Sequence, residues 1–501
     1  MLRRVNHPDG FMDPGDALVR IADASFPVPF EHRLEFNAPV HGTWNIVHIG
    51  MLVPECHQIY VCSDNCMRGV VLTAAEMDAA DRFSSVLIEE NDLYDGNLEN
   101  ITIEGVTDAI NRLPYRPRAV AVFLVCLHHF VGTDAAYVYR TLEERFPDID
   151  FMRCWMDPVM QKTGLTPEQK LKESMFKPVR PLPVEPGLVC VLGDNQPLDP
   201  DSDIAEVVRI SGGRILQLHN IEGVYAPIQA ACCKSEKGHL QGCRTYEDYL
   251  RIGAAQVLIT RSPAGIHGVS QLAKRLGRPF LYLPPACGEG EIRTGLERLE
   301  ILLSNAERSH TSFDTDIHSN PGTHSDSCSN NVQGGSRELQ AACQRAQQQA
   351  LIALEQAHSL IGNTEIKLDH IVSQRPLSLA RLLLEHGFNV TGIYLDVILP
   401  EEEQDFLWLQ ENHPDLLLSA TIHPKMRVLH ASENTGELIG LGPKAAWFGG
   451  TRHFVNVIEF GGMWGFSGIK KFCDLMEDAF LHEKDTRKLV PRKGLGCTCV
   501  L

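Results

Sequence analysis

The run AVAVFLVCLHHFVGTDAAYVYRTLEERFPDIDFMR, residues 119–153, decides the fold class. AVAVFLVCL (119–127) is a continuous apolar stretch that reads as a buried strand. AAYVYRTLEERF (135–146) has the spacing of an amphipathic helix, and DIDFMR (148–153) is strand-like again. A buried strand, a helix and a second strand make a βαβ unit, and such units build parallel sheets covered by helices.

The same alternation recurs along the chain. GLVCVLG (187–193) leads to SDIAEVVRIS (202–211), and AAQVLITRS (254–262) leads to VSQLAKRLG (269–277) and PFLYLP (279–284). Further on, LDHIVS (368–373) precedes LSLARLLLEHG (377–387) and NVTGIYLD (389–396). DLLLSAT (415–421) and the helix IKKFCDLMEDAFLH (469–482) follow. At 501 residues the chain is long enough for about three domains. Four prolines in FKPVRPLPVEPG (176–187) mark one boundary. The segment 305–338, rich in Ser, Asn, Thr, Asp, His and Gly, marks another and reads as a flexible linker. The expected architecture is α/β, three Rossmann-like domains with parallel sheets. They divide as 1–180, 181–304 and, past the linker 305–338, a helix plus a third domain over 339–501. The helix SRELQAACQRAQQQALIALEQAHSLIG (336–362) has an apolar face at Leu339, Cys343, Ala346, Ala350 and Leu354, fit for a partner or another domain. In parallel sheets of this kind, function gathers beyond the carboxyl ends of the strands.

Composition removes several classes of function. A net charge of -18 argues against nucleic acid, whose phosphates need clustered Lys and Arg. No run approaches the ~18 apolar residues of a membrane span. Arg3 and Arg4 are not followed by an apolar core of about 7–15 residues, so no secretory signal is expected and the location is read as cytoplasmic. Thr498 stands where a prenylated cysteine would have to sit in the tail GLGCTCVL. Neither a Gly-rich dinucleotide fingerprint nor a GxxxxGK[ST] loop occurs, so no nucleotide is expected on this chain. EEEQD (401–405) reads as a solvated acidic face. Trp447, Phe448 and Trp464 suit a substrate floor or a core.

Fifteen cysteines, an odd number, without secretory context do not read as a disulfide framework. They are small buried hydrophobes, or a subset binds a soft metal. Cys56, Cys62 and Cys66 lie close in sequence, and Cys126 ends a strand, where its side chain faces the ligand crevice. These four are the candidate metal ligands, and Cys62, Cys66 and Cys126 the candidate cofactor-binding set. His41, His48, His57, His128 and His129 keep a zinc site open as well. His128 and His129 either tune a cluster or cap the strand end. No side chain stands out as a catalytic acid or base.

The stretch 81–151, with SSVLIEENDLYDG (84–96) and VCLHHFVGTD (125–134), resembles the nitrogenase component 1 oxidoreductase family. VCSDNC, ending in Cys66, is similar to a family motif that ends in a cysteine, and GGMWGFSGIKKFCDLMEDAF (461–480) to the family's closing turn and helix. The resemblance spans roughly residues 35 to 485. It implies three Rossmann-like domains, two homologous subunits or a self-pair, and an iron–sulfur cluster, of the 4Fe-4S type, near their interface. It also implies a separate P-loop ATPase reductase that delivers electrons to a small substrate. By position, Cys66 and Cys126 match the family's second and third cluster cysteines. The first would fall at Val40 or His41, so Cys62 takes its place, about one turn from Cys66 if the loop is helical, or else Cys56. The family's active-site cofactor hangs on a cysteine and a histidine. Thr260 stands near the first position and His453 is off register for the second, so dinitrogen reduction is not expected. Cys232, Cys233, Cys243 and Cys287 are alternative thiols, or buried ones.

Three functions follow from the resemblance: a subunit of a nitrogenase-like reductase, a scaffold that assembles a metal cofactor without turnover, and a metal-free structural relative.

Overall fold

The computed structural model describes residues 17–30, 46–76, 79–156, 164–219, 239–304, 337–421, 423, 426 and 437–484. The chain divides into two compact units. One holds 34–200 and 214–284; the other holds 1–33, 201–213 and 285–492. β1 (Leu18–Arg20) belongs to the second of these.

The first unit contains two sheets. α1 (Ile46–Met51), β2 (Cys56–Cys62), α2 (Asp64–Glu76), β3 (Phe83–Leu87), α3 (Glu90–Asp95), α4 (Leu98–Arg112), β4 (Ala119–Val125), α5 (Cys126–Phe130), α6 (Ala135–Arg145), β5 (Asp150–Met156) and α7 (Pro167–Met175) build the first. Its strands run in the order β3-β2-β4-β5, all parallel. Every residue of β2 and β4 is buried, as a sheet covered on both faces requires. Tyr60 stacks on Phe123 at 4.3 Å between ring centroids, tying the two strands across one face. β6 (Leu188–Val191) begins the second sheet. The chain then enters the other unit as α8 (Asp203–Ile210) and returns as β7 (Arg214–Gln217). β8 (Leu240–Gly242), α9 (Tyr246–Leu250), β9 (Val257–Thr260), α10 (Ile266–Leu276) and β10 (Phe280–Tyr282) complete a parallel sheet ordered β10-β9-β6-β7-β8. Gly268 lets α10 lie against α7: a Cβ there would sit 2.6 Å from the Lys172 carbonyl oxygen.

The other unit is built on α11 (Glu289–Ser304), α12 (Arg337–Ile361), β11 (Glu365–Asp369), α13 (Pro376–Glu385), β12 (Asn389–Tyr394), α14 (Glu403–Asn412), β13 (Leu417–Ser419), β14 (Leu438–Leu441), α15 (Pro443–Gly449), β15 (Phe454–Val455) and α16 (Gly465–Leu481). Its sheet runs β1-β13-β12-β11-β14-β15, parallel except for β1, which pairs antiparallel with β13. α12 buries Leu339, Cys343, Ala350, Leu354 and Ile361 and lies along α16. Its apolar face is therefore used within its own unit. Trp464 is fully buried and belongs to the core, whereas Phe448 is half-buried and stacks on Tyr394.

The α/β class with three parallel sheets agrees with the sequence expectation. Two local expectations do not hold. LDHIVS was expected as a strand, but β11 ends at Asp369. Its carboxylate accepts the backbone N–H groups of Ile371 and Val372, which turns the chain away from the sheet. EEEQD is not a solvated face: Glu402 is fully buried and accepts the Leu377 and Ser378 N–H groups at the start of α13. Burial pushes its carboxyl up to about 8.

Candidate functional site

In the first sheet the chain-order reversal lies between β2 and β4, and the crevice of such a sheet opens at the carboxyl ends of those two strands. Cys62 is the last residue of β2, Cys66 lies in the first turn of α2, and Cys126 begins α5 directly after β4. Cys66 and Cys126 are half-buried. The Cys66 N–H donates to Ser63 O at 3.0 Å, and its Sγ accepts the Ser63 hydroxyl at 3.5 Å. Both thiols thus stand at one edge of one sheet, on the helices that follow the neighbouring strands β2 and β4.

Cys62 does not join them on equal terms. The expectation that it lies one helical turn from Cys66 fails because 56–62 is a strand, not a loop or helix. Its side chain lies in the buried cluster with Tyr60, Phe123 and Val125. Burial, with Cys66 and Asp64 nearby, pushes its thiol up to about 12, so in the metal-free chain it is protonated and unreactive at neutral pH. Cys56 opens β2 at the opposite end of the strand, six steps or ~20 Å from Cys62. It is buried, donates to His57 O at 3.6 Å, and is also pushed up to about 12. Strand length alone keeps it out of any cluster with Cys66 and Cys126.

Three of the five candidate histidines make contacts within the fold. His128 is fully buried: its Nδ1 accepts the Val125 N–H at 3.2 Å, and its Nε2 lies 3.3 Å from the Thr102 hydroxyl. It caps the strand end. Burial lowers its pKa to about 4. His57 is bracketed by Tyr115 and Ser84, each at 2.7 Å, and His129 stacks on Trp155. His41, Cys232 and Cys233 lie outside the described residues, as does 305–336 of the expected linker. Among the described residues no three His, Cys, Asp or Glu converge to hold a metal ion. A four-iron cluster takes four thiolates. With two half-buried thiols at the edge, the described residues of this chain alone do not fit a complete cluster site.

The same edge is apolar outside. Leu87, paired with Cys62 across β2 and β3, is 50% exposed. Phe130 and Val131, at the end of the helix that Cys126 begins, are 69% and 42% exposed. Val71 on α2 and Tyr94 on α3 are exposed too.

The second sheet reverses between β6 and β9. Asp194, just past β6, accepts the backbone N–H groups of Arg261 at 2.7 Å and Ser262 at 2.9 Å, and the Arg261 Nε–H at 3.0 Å. Gly193 and Gly265 permit this approach: a Cβ on Gly265 would fall 2.3 Å from Thr260 Oγ1. Thr260 is fully buried beside Asp194. Around this pair lies a buried polar group that motif spacing did not disclose. Lys172 donates to Glu168 at 2.5 Å and Asn195 at 2.9 Å, and His219 bonds to the Asn195 backbone. Glu168 and Lys172 sit one turn apart on α7, a pattern visible in PEQKLKESM. Cys190 and Cys243 are in the apolar core.

In the other unit, the third sheet reverses between β11 and β14. Asp369 accepts the N–H groups of Lys444 at 2.7 Å and Ala445 at 2.9 Å. Lys444 Nζ reaches the Thr421 hydroxyl at 2.9 Å. His453 Nδ1 is bonded to Ala479 O at 2.9 Å, and Cys287 is buried. No described helix is long and apolar enough to cross a membrane.

The model of the nitrogenase component 1 type oxidoreductase family matches residues 48–432. Among solved structures, a nitrogenase Cp1 at pH 6.5 is similar over 90% of this chain and 93% of that one, with 12% identity and a TM-score of 0.59. A nitrogenase Cp1 at pH 5 is similar over 93% and 94%, with 12% identity and a TM-score of 0.54. At that identity the likeness is one of fold.

Proposed function

This chain belongs to the nitrogenase component 1 type oxidoreductase family, and from that premise we propose that it is one subunit of a nitrogenase-like oxidoreductase. Cys66 and Cys126 supply thiolates to an iron–sulfur cluster that a homologous second subunit, or a second copy of the chain, completes. The observation that carries this reading is the pairing of two half-buried thiols with exposed Leu87, Phe130 and Val131 at one sheet edge. An incomplete donor set beside an apolar surface is what a shared site requires before its partner arrives. The cluster, when bound, accepts and passes on single electrons. The chain's own part is to hold two of its ligands, to cover it with Cys62, Tyr60 and Val125, and to exclude water once the apolar rim is paired.

In this reading an ATP-dependent P-loop reductase supplies the electrons, a small molecule receives them, and the complex is cytoplasmic. The chain divides into domains at about residues 180 and 304, with a linker to about 338, as the sequence boundaries suggest. A second reading, a scaffold that carries a metal group without turnover, is favoured by one observation. Thr260, buried against Asp194, carries a hydroxyl near the position where the family's active-site cofactor hangs on a cysteine thiolate.

The test is anaerobic purification, or reconstitution with ferrous iron and sulfide, followed by iron and sulfide analysis and EPR of the reduced protein. Visible absorbance that is lost in Cys126→Ala and Cys66→Ala, and kept in Cys56→Ala, supports the cluster. Absorbance unchanged in Cys126→Ala removes that residue from the ligands. ATP-dependent multiple turnover with a reductase separates the enzyme from the scaffold.

A further inference from the structure

In the first unit, the carboxyl edge of the second sheet holds three buried side-chain atoms that have no hydrogen-bond partner among the described residues: Glu168 Oε2, Gln217 Nε2 and His219 Nε2. Their residues are 0%, 1% and 5% exposed. A buried polar atom left unpaired destabilises the fold, so three in neighbouring residues call for an occupant. They belong to one cluster. Glu168 Oε1 and Asn195 Oδ1 both accept from Lys172, Asn195 in turn bonds His219 through its backbone, and Gln217, the last residue of β7, lies two residues before His219 and accepts the N–H of Leu198, three residues past Asn195.

The chemistry of the three atoms selects the occupant. Glu168 Oε2 is an acceptor. His219 is neutral, because burial and the nearby Arg261 and Lys172 charges lower its pKa to about 3. Its ring N–H serves the Asn195 backbone, which leaves Nε2 as a second acceptor. Gln217 spends its Oε1 on the Leu198 N–H at 2.8 Å and has its amide N–H groups to offer as donors. The site therefore asks for two donors and one acceptor. Charge narrows it further. Lys172 is matched by Glu168 and Arg261 by Asp194, so a buried ion added here would be left uncompensated. Among the described residues no thiolate is at hand, since Cys190 and Cys243 lie in the apolar core, so these residues offer a soft metal group no anchor.

We propose that this crevice binds a small uncharged organic molecule through a primary carboxamide or urea-type head, its N–H groups on Glu168 and His219 and its carbonyl oxygen on Gln217. Such a head carries the required two donors and one acceptor on one planar group. Naming this molecule as the substrate rests on the oxidoreductase reading above; the binding site itself does not.

The test is saturation-transfer NMR on the full chain with acetamide, acetate and acetone, which are alike in size and differ in the head group. Acetamide binding in the millimolar range, with acetate and acetone at least five-fold weaker, is expected. Equal signals from all three, or none from acetamide, overturn the proposal without any variant having to fold. Gln217→Glu keeps the acceptor for Leu198 and removes the amide donor, and His219→Phe removes the second acceptor. Each, at an unchanged melting temperature, is expected to weaken acetamide at least ten-fold, and unchanged binding in both overturns the site. Iron content after anaerobic reconstitution is expected to be the same in His219→Phe as in the parent. A loss there would make His219 a metal ligand and sink the carboxamide assignment. A failed cluster in Cys126→Ala leaves the acetamide series intact, so the two readings fail separately.

Discussion

The carboxylate of Asp369 accepts the backbone N–H of Lys444 at 2.7 Å across a sequence separation of 75 residues. Asp194 does the same for Arg261 at 2.7 Å, 67 residues on. In both sheets the aspartate stands at the carboxyl end of the first strand of the sheet's main parallel run, Asp369 as its last residue and Asp194 just beyond it, and the amides follow the strand on the far side of the reversal. That is where an open α/β sheet otherwise receives an anionic ligand on a helix amide. Here a side chain occupies the place. The first sheet has no such carboxylate bond among the described residues; its edge carries Cys66 and Cys126 instead. Two reversals closed by aspartate and one bordered by thiols give a structural reason for seeking electron-carrying chemistry at the first.

The Asp369 contact depends on Gly442, whose φ is +110 and whose added Cβ would lie 2.1 Å from Asp369 Oδ1. Gly442→Ala combines a disfavoured backbone conformation with a backbone or carboxylate displacement, each costing roughly 1–3 kcal/mol. A drop in the urea midpoint of the purified chain is expected, larger than for Gly96→Ala. Gly96 also has positive φ, +61, but a Cβ there meets nothing within 4 Å. Equal losses in the two variants would remove the close approach from the explanation.

The buried imidazoles predict a pH dependence. His57 and His128 are both lowered from 6.5 to about 4, chiefly by burial. Between those values the unfolded chain binds protons that the folded state refuses, so their contribution to stability falls as the pH drops from 6.5 toward 4. Glu402 works in the opposite sense. Raised from 4.5 to about 8, it holds a proton when folded that the unfolded chain releases, and its contribution fades as the pH rises through 8. The informative quantity is therefore the difference between His57→Phe and the parent. The variant's melting temperature is expected to depend less on pH between 6.5 and 4.5, by on the order of a few °C. Parallel curves would show that His57 is not the titrating group.

The helices and most of the parallel strands were legible because apolar runs and amphipathic spacing are local signals. AAYVYRTLEERF, read over 135–146, is a helix over Ala135–Arg145. β2 was not legible, although it carries the cysteines at issue. CHQIYVC is interrupted by His57 and Gln58, which are nevertheless fully buried because distant groups satisfy them. Tyr115 and Ser84 hold His57, and Gln58 donates to Val47 O and accepts from Tyr60. Pairing across such separations has no local pattern. The same reason hid Asp194, Asp369 and the Lys172 cluster, whereas Cys66 and Cys126 were visible from the family likeness.

Lys172 and Glu168 form an ion pair with both side chains almost wholly buried. Removing one partner strands the other charge, at about 3–5 kcal/mol, whereas replacing both with apolar groups of similar size is often close to neutral. Glu168→Leu is expected to lower stability sharply, and Glu168→Leu with Lys172→Met to recover most of it. Acetamide binding is expected to stay lost in the double variant, because the Glu168 acceptor is gone. Urea unfolding and the saturation-transfer signal, measured on the same samples, separate the two roles; additive losses in the double variant would deny the pairing.

The thiols should differ in reactivity before any metal is added. Cys66 and Cys126 are half-buried at the sheet edge, while Cys56, Cys62, Cys154 and Cys190 are buried. Burial raises the last four above the ordinary thiol range, with Cys56 and Cys62 pushed up to about 12. Alkylation needs both access and thiolate. A short pulse of iodoacetamide at pH 8 on the metal-free native chain, read by peptide mass spectrometry, should label Cys66 and Cys126 well ahead of these four. Prior reconstitution with iron and sulfide should protect Cys66 and Cys126 together. Labelling of Cys62 at the same rate as Cys66 would mean that its thiol also reaches the edge, and would favour it as a third ligand on this chain.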